Sequence, residues 1–305
     1  MKNALIAALL IACPSVHAAR KSRLPAVRVP SKHADPLDQE LRRLANKGWN
    51  PSEKAYTRVR GGKLVVMIYK KGADSRASER LYVYLVGKKD FRTLHMYPGS
   101  SVDLALADVH KEGRIYDLAK DHSRIFAYRT IFPGIGQEKL RVFRYARGKI
   151  RHLADFDQGR FEDIDKDKTW EIVAQDRPLG KYFMMNCKSF YTMADKAFRT
   201  RVYAWRDKRL VKASGDYLDY FEGRIEDTRD QVGAINARST KNYGRFLALT
   251  LQLYFDHAQI GKAREGWGEF RTLYPVKRTD PKPVKRCLQQ METKLRDRLS
   301  IPQDW

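Results

Sequence analysis

From Ala55 onward the chain alternates aromatic or β-branched residues with polar ones and breaks the alternation with glycine, the pattern of strands joined by tight turns. Tyr56 to Arg60, Gly61-Gly62 and Lys63 to Tyr69 read as a hairpin turning on two glycines. One alternation occurs three times, at Arg80 to Lys88, Arg141 to Lys149 and Arg201 to Lys208, with starts 61 and 60 residues apart. Each copy runs through a basic turn into a second strand, at Arg92 to Leu94, Ile150 to Leu153 and Leu210 to Ala213. This spacing predicts a repeated strand, turn, strand unit with one face buried. A second landmark recurs between the copies: Ala107 to Gly113 followed by Tyr116 to Asp121 lines up with Glu162 to Lys168 followed by Trp170 to Asp176.

After Ala213 the apolar period becomes helical. Leu218, Phe221, Ile225 and Val232 mark a helix closed by Gly233, and Phe246 to Phe255 a more buried one ending near Gly261. A third runs from Ala263 to Leu273 before Pro275, and a last from Val284 to Leu299. The middle two resemble one tetratricopeptide helix pair, but a stable array needs about three, so they read as a helical hairpin. A short helix is expected at Asp38 to Leu44. The fold class is therefore α+β: a strand-rich repeat region over 55–213, then a helical unit over 214–305, with a basic leader and short helix over 19–54.

Residues 1–18 read as a secretory signal peptide: Lys2, an apolar run from Ala4 to Ala12, and small residues around Ala18. The run is too short to span a bilayer, and no later stretch is long and apolar enough. Leu10-Ile11-Ala12-Cys13 also fits a lipoprotein signal, which would tether the chain through Cys13. The expected location is periplasmic or secreted. Export gives the charge its meaning: the net charge of +24 predicts attraction to an anionic envelope polymer or surface, and nucleic acid stays among the partners that this charge allows. Cys187 and Cys287 are the two cysteines left after cleavage, a candidate disulfide in an oxidising compartment.

Asp163, Asp165, Asp167 and Glu171 stand at positions 1, 3, 5 and 9 of one loop. Alternate acids in a turn aim their oxygens at one centre, as Ca²⁺ requires. An EF-hand is excluded, because Lys168 and Ala174 stand where it needs glycine and a bidentate acid. The stretch Asp163-Ile164-Asp165-Lys166-Asp167-Lys168-Thr169-Trp170-Glu171, set between aromatic hairpins, resembles the repeat of the FG-GAP and VCBS families. That resemblance implies β-propeller blades, with a loop that binds calcium in many members. Three units are fewer than the 4 to 8 blades of a closed propeller, so an incomplete, propeller-like array capped by helices is expected.

No HExxH, GxSxG or Walker loop occurs, which sets aside zinc peptidases, α/β-hydrolases and P-loop enzymes. On the last predicted helix Lys285, Arg286, Lys294, Arg296 and Arg298 suggest a cationic face for a polyanion. The expectation is an exported binding protein engaging an anionic polymer or surface. The alternatives are a metal-dependent hydrolase using Asp163, Asp165 and Asp167 on a polyanionic substrate, and an assembly factor docking an envelope protein through its helical end.

Overall fold

A computed structural model describes residues 36–72, 78–99, 102–132, 137–180, 184–187, 190–193, 197–235, 243–273 and 282–305. The expected signal segment with Cys13 and the expected basic leader lie outside the described residues. Three four-stranded antiparallel sheets follow one another along the chain. The first is the meander β1 (Trp49–Val59), β2 (Gly62–Lys71), β3 (Ser78–Val86) and β4 (Phe91–Tyr97). The second is β5 (Asp103–Leu106), β6 (Arg124–Phe132), β7 (Gln137–Ala146) and β8 (Lys149–Asp157). The third orders β9 (Arg160–Glu162), β10 (Glu171–Asp176), β13 (Arg199–Arg206) and β14 (Arg209–Lys212), with a separate hairpin, β11 (Met184–Cys187) and β12 (Phe190–Met193), inserted between its second and third strands. Helices flank them: α1 (Leu37–Asn46) before, and α2 (Leu218–Gly233), α3 (Tyr243–Gln259), α4 (Ala263–Leu273) and α5 (Lys282–Leu299) after.

Strand periodicity explains how the sheets stack. In β2 the even positions Leu64, Val66 and Ile68 pack with Phe126, Tyr128, Phe143 and Tyr145 of the second sheet. The odd positions Val65, Met67 and Tyr69 pack with Leu37 and Leu44 of α1. A strand covered on both faces needs the continuous apolar run found there. The second sheet divides likewise, giving Ile125, Ala127, Leu140 and Val142 to Phe161, Ile172 and Ala174 of the third. The far face of the third sheet, Val173, Val202 and Ala204, meets Phe221 of α2. The order is thus α1, sheet, sheet, sheet, α2. Each fully buried Leu, Val or Phe contributes about 1.5–3 kcal/mol, and the four layers of such residues hold the stack together. The remaining helices gather around Trp267, Phe270, Leu251 and Met291.

The 60-residue repeat corresponds to the third and fourth strands of each sheet: β3 and β4, β7 and β8, β13 and β14. The sheets are three open stacked layers, not a closed ring. The first strand starts at Trp49, ahead of Ala55, because Pro51 sits at an irregularity on an edge strand, where no amide is needed. Of Tyr116 to Asp121, aligned above with strand β10, Tyr116 makes a single antiparallel bridge to Ile125 and Leu118 to Asp121 turn, so that β6 begins only at Arg124. Gly62 has no substitute, since a Cβ there would collide with the Val86 carbonyl across the hairpin.

Two carboxylates close the open edge of β5. Glu53 Oε2 accepts the Leu106 N–H at 2.7 Å, and buried Glu79 accepts that of Leu104 while pairing with Lys70 Nζ at 2.6 Å. Edge amides that would otherwise recruit a foreign strand are satisfied within the chain.

Candidate metal centre

The loop between β9 and β10 is built by its own side chains. Asp163 Oδ2 accepts the Lys168 N–H at 3.2 Å, Asp165 Oδ1 that of Asp167 at 3.3 Å, and Asp167 Oδ1 that of Thr169 at 2.6 Å. Lys166 and Lys168 adopt left-handed backbone, φ 59° and 66°. Glu171, the first residue of β10, folds back so that Oε2 accepts the Ile164 N–H at 3.1 Å. It is 2 % exposed, and burial pushes its carboxyl above the usual range. The Tyr217 hydroxyl, just before α2, approaches it from the helical side and favours its charged form.

Three of the four predicted ligands come together: one oxygen each from Asp163, Asp165 and Glu171 lies within 4.8 Å of the others. Asp163 Oδ1 is buried without a hydrogen-bond partner. Asp167 is not in the group, being turned to Thr169, whose N–H holds its carboxyl below the ordinary value. Hard carboxylate oxygens around a buried orphan acceptor fit a hard divalent cation.

The second sheet carries the same loop before β6, in a place the acidic spacing did not reveal. Asp117 Oδ2 accepts the His122 N–H at 2.7 Å, five residues on, as Asp163 does from Lys168. Asp121 Oδ1 accepts the Ser123 N–H at 3.0 Å, as Asp167 does from Thr169. Lys120 and His122 are left-handed at φ 50° and 64°, matching Lys166 and Lys168. The counterpart of Asp163 is therefore Asp117, and Asp108 instead pairs with Arg129 at 2.9 Å. The two loops differ in charge. In the second sheet Ala119 and Ile125 stand where the third has Asp165 and Glu171, and arginines neutralise the acids: Arg124 lies 3.3 Å from Asp117, and Arg144 pairs with Asp121. In the third sheet Trp170 replaces Arg124, two carboxylates are added, and among the described residues no lysine or arginine forms an ion pair with Asp163, Asp165 or Glu171.

His110 has a structural task. Its Nε2 accepts the Ala127 N–H at 3.0 Å, so Nδ1 carries the proton and donates to the Arg114 carbonyl at 2.8 Å. Both nitrogens are occupied, and burial pulls its pKa down to about 4.

Of the predicted cationic face on α5, Arg286, Lys294 and Arg298 are exposed and Lys285 partly so. Arg296 has another role: its guanidinium lies 5.1 Å from the Trp267 ring centre and donates to the carbonyls of Pro302 at 2.8 Å and Trp305 at 2.7 Å. It fastens the C-terminus. Cys287 is disulfide-bonded. Cys187 ends β11, which lies beside α5, and its side chain is outside the described residues. No described helix is long and apolar enough to cross a membrane. No protein-family model, no curated protein and no solved structure matches this chain.

Proposed function

We propose that the chain is an exported binding protein of the bacterial envelope, built from FG-GAP/VCBS-like blades, with a divalent cation stapling its third sheet and an anionic polymer or surface as its partner. The observation that supports the cation is the pair of matched loops. Where arginines neutralise the acids, the loop has two carboxylates; where they are missing, it has four, three of them converging beside an orphan oxygen. Oxygen-only donors in an irregular arrangement favour Ca²⁺ over Mg²⁺, which demands stricter octahedral geometry. The anionic partner follows from the net charge of +24.

Thermal melting of the mature protein with calcium and with chelator tests the staple. Calcium is expected to raise the melting temperature of the wild type and to leave Asp165→Ala unmoved; equal melting with and without calcium in the wild type removes the cation from the account. Retention on an anionic resin, released by moderate salt, tests the partner class.

A further inference from the structure

The described surface carries a localised cationic face that the helix-face pattern on α5 did not suggest. The turns from third to fourth strand, at 87–90, 147–148 and 207–208, occupy one end of the stacked sheets. His95 of β4 and Phe143 of β7, each a few residues from its own turn, lie ring to ring at 5.1 Å, and Arg144 Nη1 donates to the Lys208 carbonyl at 3.2 Å between the second and third sheets. The turns present six exposed cations, Lys88 and Lys89, Arg147 and Lys149, Lys208 and Arg209, against two exposed acids, Asp90 and Asp207. Packed sheets lie about 10 Å apart, so the three pairs form a row roughly 20 Å long.

The backbone supplies an independent reason to regard these cations as selected. Nine described non-glycine residues have positive φ; five are lysine or arginine, and all five are at this end: Lys120, Arg147, Lys166, Lys168 and Lys208. Glycine, asparagine or aspartate adopts that conformation with less strain than a long cationic side chain. His122 and Asp207 adopt the same conformation at this end, so five of its seven such residues are cationic, and strained residues mostly of one charge on one surface point to a ligand of the opposite charge.

We propose that this turn-bearing end of the three sheets is the docking surface for a linear polyanion with phosphate or carboxylate groups along its length. The inference rests on the reading of an anionic partner and places it on the sheets instead of α5. The loops at 117–123 and 163–169 lie at the same end, since Arg124 at the start of β6 pairs with Tyr145 and Ile172 near the start of β10 pairs with Tyr203, so the latter loop holds Lys166 and Lys168 beside the row.

The test compares two variants of the mature chain with equal loss of charge: Lys88→Gln, Arg147→Asn, Lys208→Asn and Arg209→Gln on the turns, and Lys285→Gln, Arg286→Gln, Lys294→Gln and Arg298→Gln on α5. Binding to long-chain inorganic polyphosphate and to polyglutamate is measured across a salt series. The turn variant is expected to bind at least about tenfold more weakly, with a log–log salt slope reduced by about 3, and the α5 variant to stay close to the wild type. The melting temperature of the turn variant should not fall, because asparagine suits the left-handed positions 147 and 208 better. Preference for polyphosphate assigns phosphate and preference for polyglutamate assigns carboxylate; either leaves the surface where proposed. Equal or greater loss in the α5 variant overturns the placement and keeps the anionic partner. Failure of the wild type to bind either polymer overturns both.

Discussion

Asp117 and Asp163 hold the same place in the same loop, each taking the backbone N–H five residues on, yet Asp117 has Arg124 at 3.3 Å and Asp163 has two more carboxylates. Like charges converging without a counterion oppose folding of the loop, and a bound cation reverses the sign of that term. If so, supplying the missing arginine should replace the ion. Trp170→Arg combined with Asp165→Ala and Glu171→Ile recreates the second-sheet loop in the third. Its melting temperature is expected to be insensitive to chelator, as checked by paired melts with the wild type.

His110 makes a separate prediction about acid. Its folded pKa, about 4, lies below the unfolded value near 6.5, so its contribution is present in full above pH 6.5 and is lost as pH falls toward 4. The loss amounts to about 3 kcal/mol. Urea titrations at pH 7 and pH 4.5 should show that His110→Gln, which keeps a donor and an acceptor, loses less stability on acidification than the wild type. An identical loss would show that the imidazole titrates freely.

Asp256 runs in the opposite direction. It is fully buried on α3, 3.1 Å from Arg224 of α2, and burial pushes its carboxyl up to about 6 against the pull of that arginine. A raised carboxyl contributes most below the unfolded value near 3.9, and that contribution fades as pH rises through 6. Arg224→Ala should cost about 3–5 kcal/mol at pH 7, where it strands a buried anion, and much less near pH 4.5. Adding Asp256→Asn should recover most of the loss at pH 7, read from denaturation midpoints.

For the bridge at Cys287 we propose Cys187 as partner, which closes a loop of about 100 residues and on chain entropy is worth about 4–5 kcal/mol. Non-reducing peptide mapping should recover the 187 and 287 peptides as one species, and Cys187→Ser should lower the melting temperature in oxidising buffer only.

The sequence revealed most where one periodicity governs a long stretch. All four C-terminal helices fall on the apolar spacings of Leu218 to Val232, Phe246 to Phe255, Ala263 to Leu273 and Val284 to Leu299, because the period of buried positions runs unbroken through each, α3 adding a second buried face. The recurring Arg80, Arg141 and Arg201 segments are the third strands of the three sheets for the same reason. The loop comparison slipped because acid spacing favoured Asp108, His110 and Glu112, whereas equivalence is set by captured amides and left-handed positions. The shared letters Asp-x-x-Lys-Asp-x-Ser/Thr at 117–123 and 163–169 do carry it. Arg296 was misleading in another way. On a helical wheel it is one more cation, and only the fold brings Trp267 and the Pro302 and Trp305 carbonyls around it.

Calorimetric titration of calcium into the chelator-treated mature protein tests the central claim most directly. The account predicts one ion per chain for the wild type, with binding abolished in Asp165→Asn and Glu171→Gln and retained in Asp117→Asn. No heat of binding in the wild type, or binding that survives both Asp165→Asn and Glu171→Gln, would contradict it.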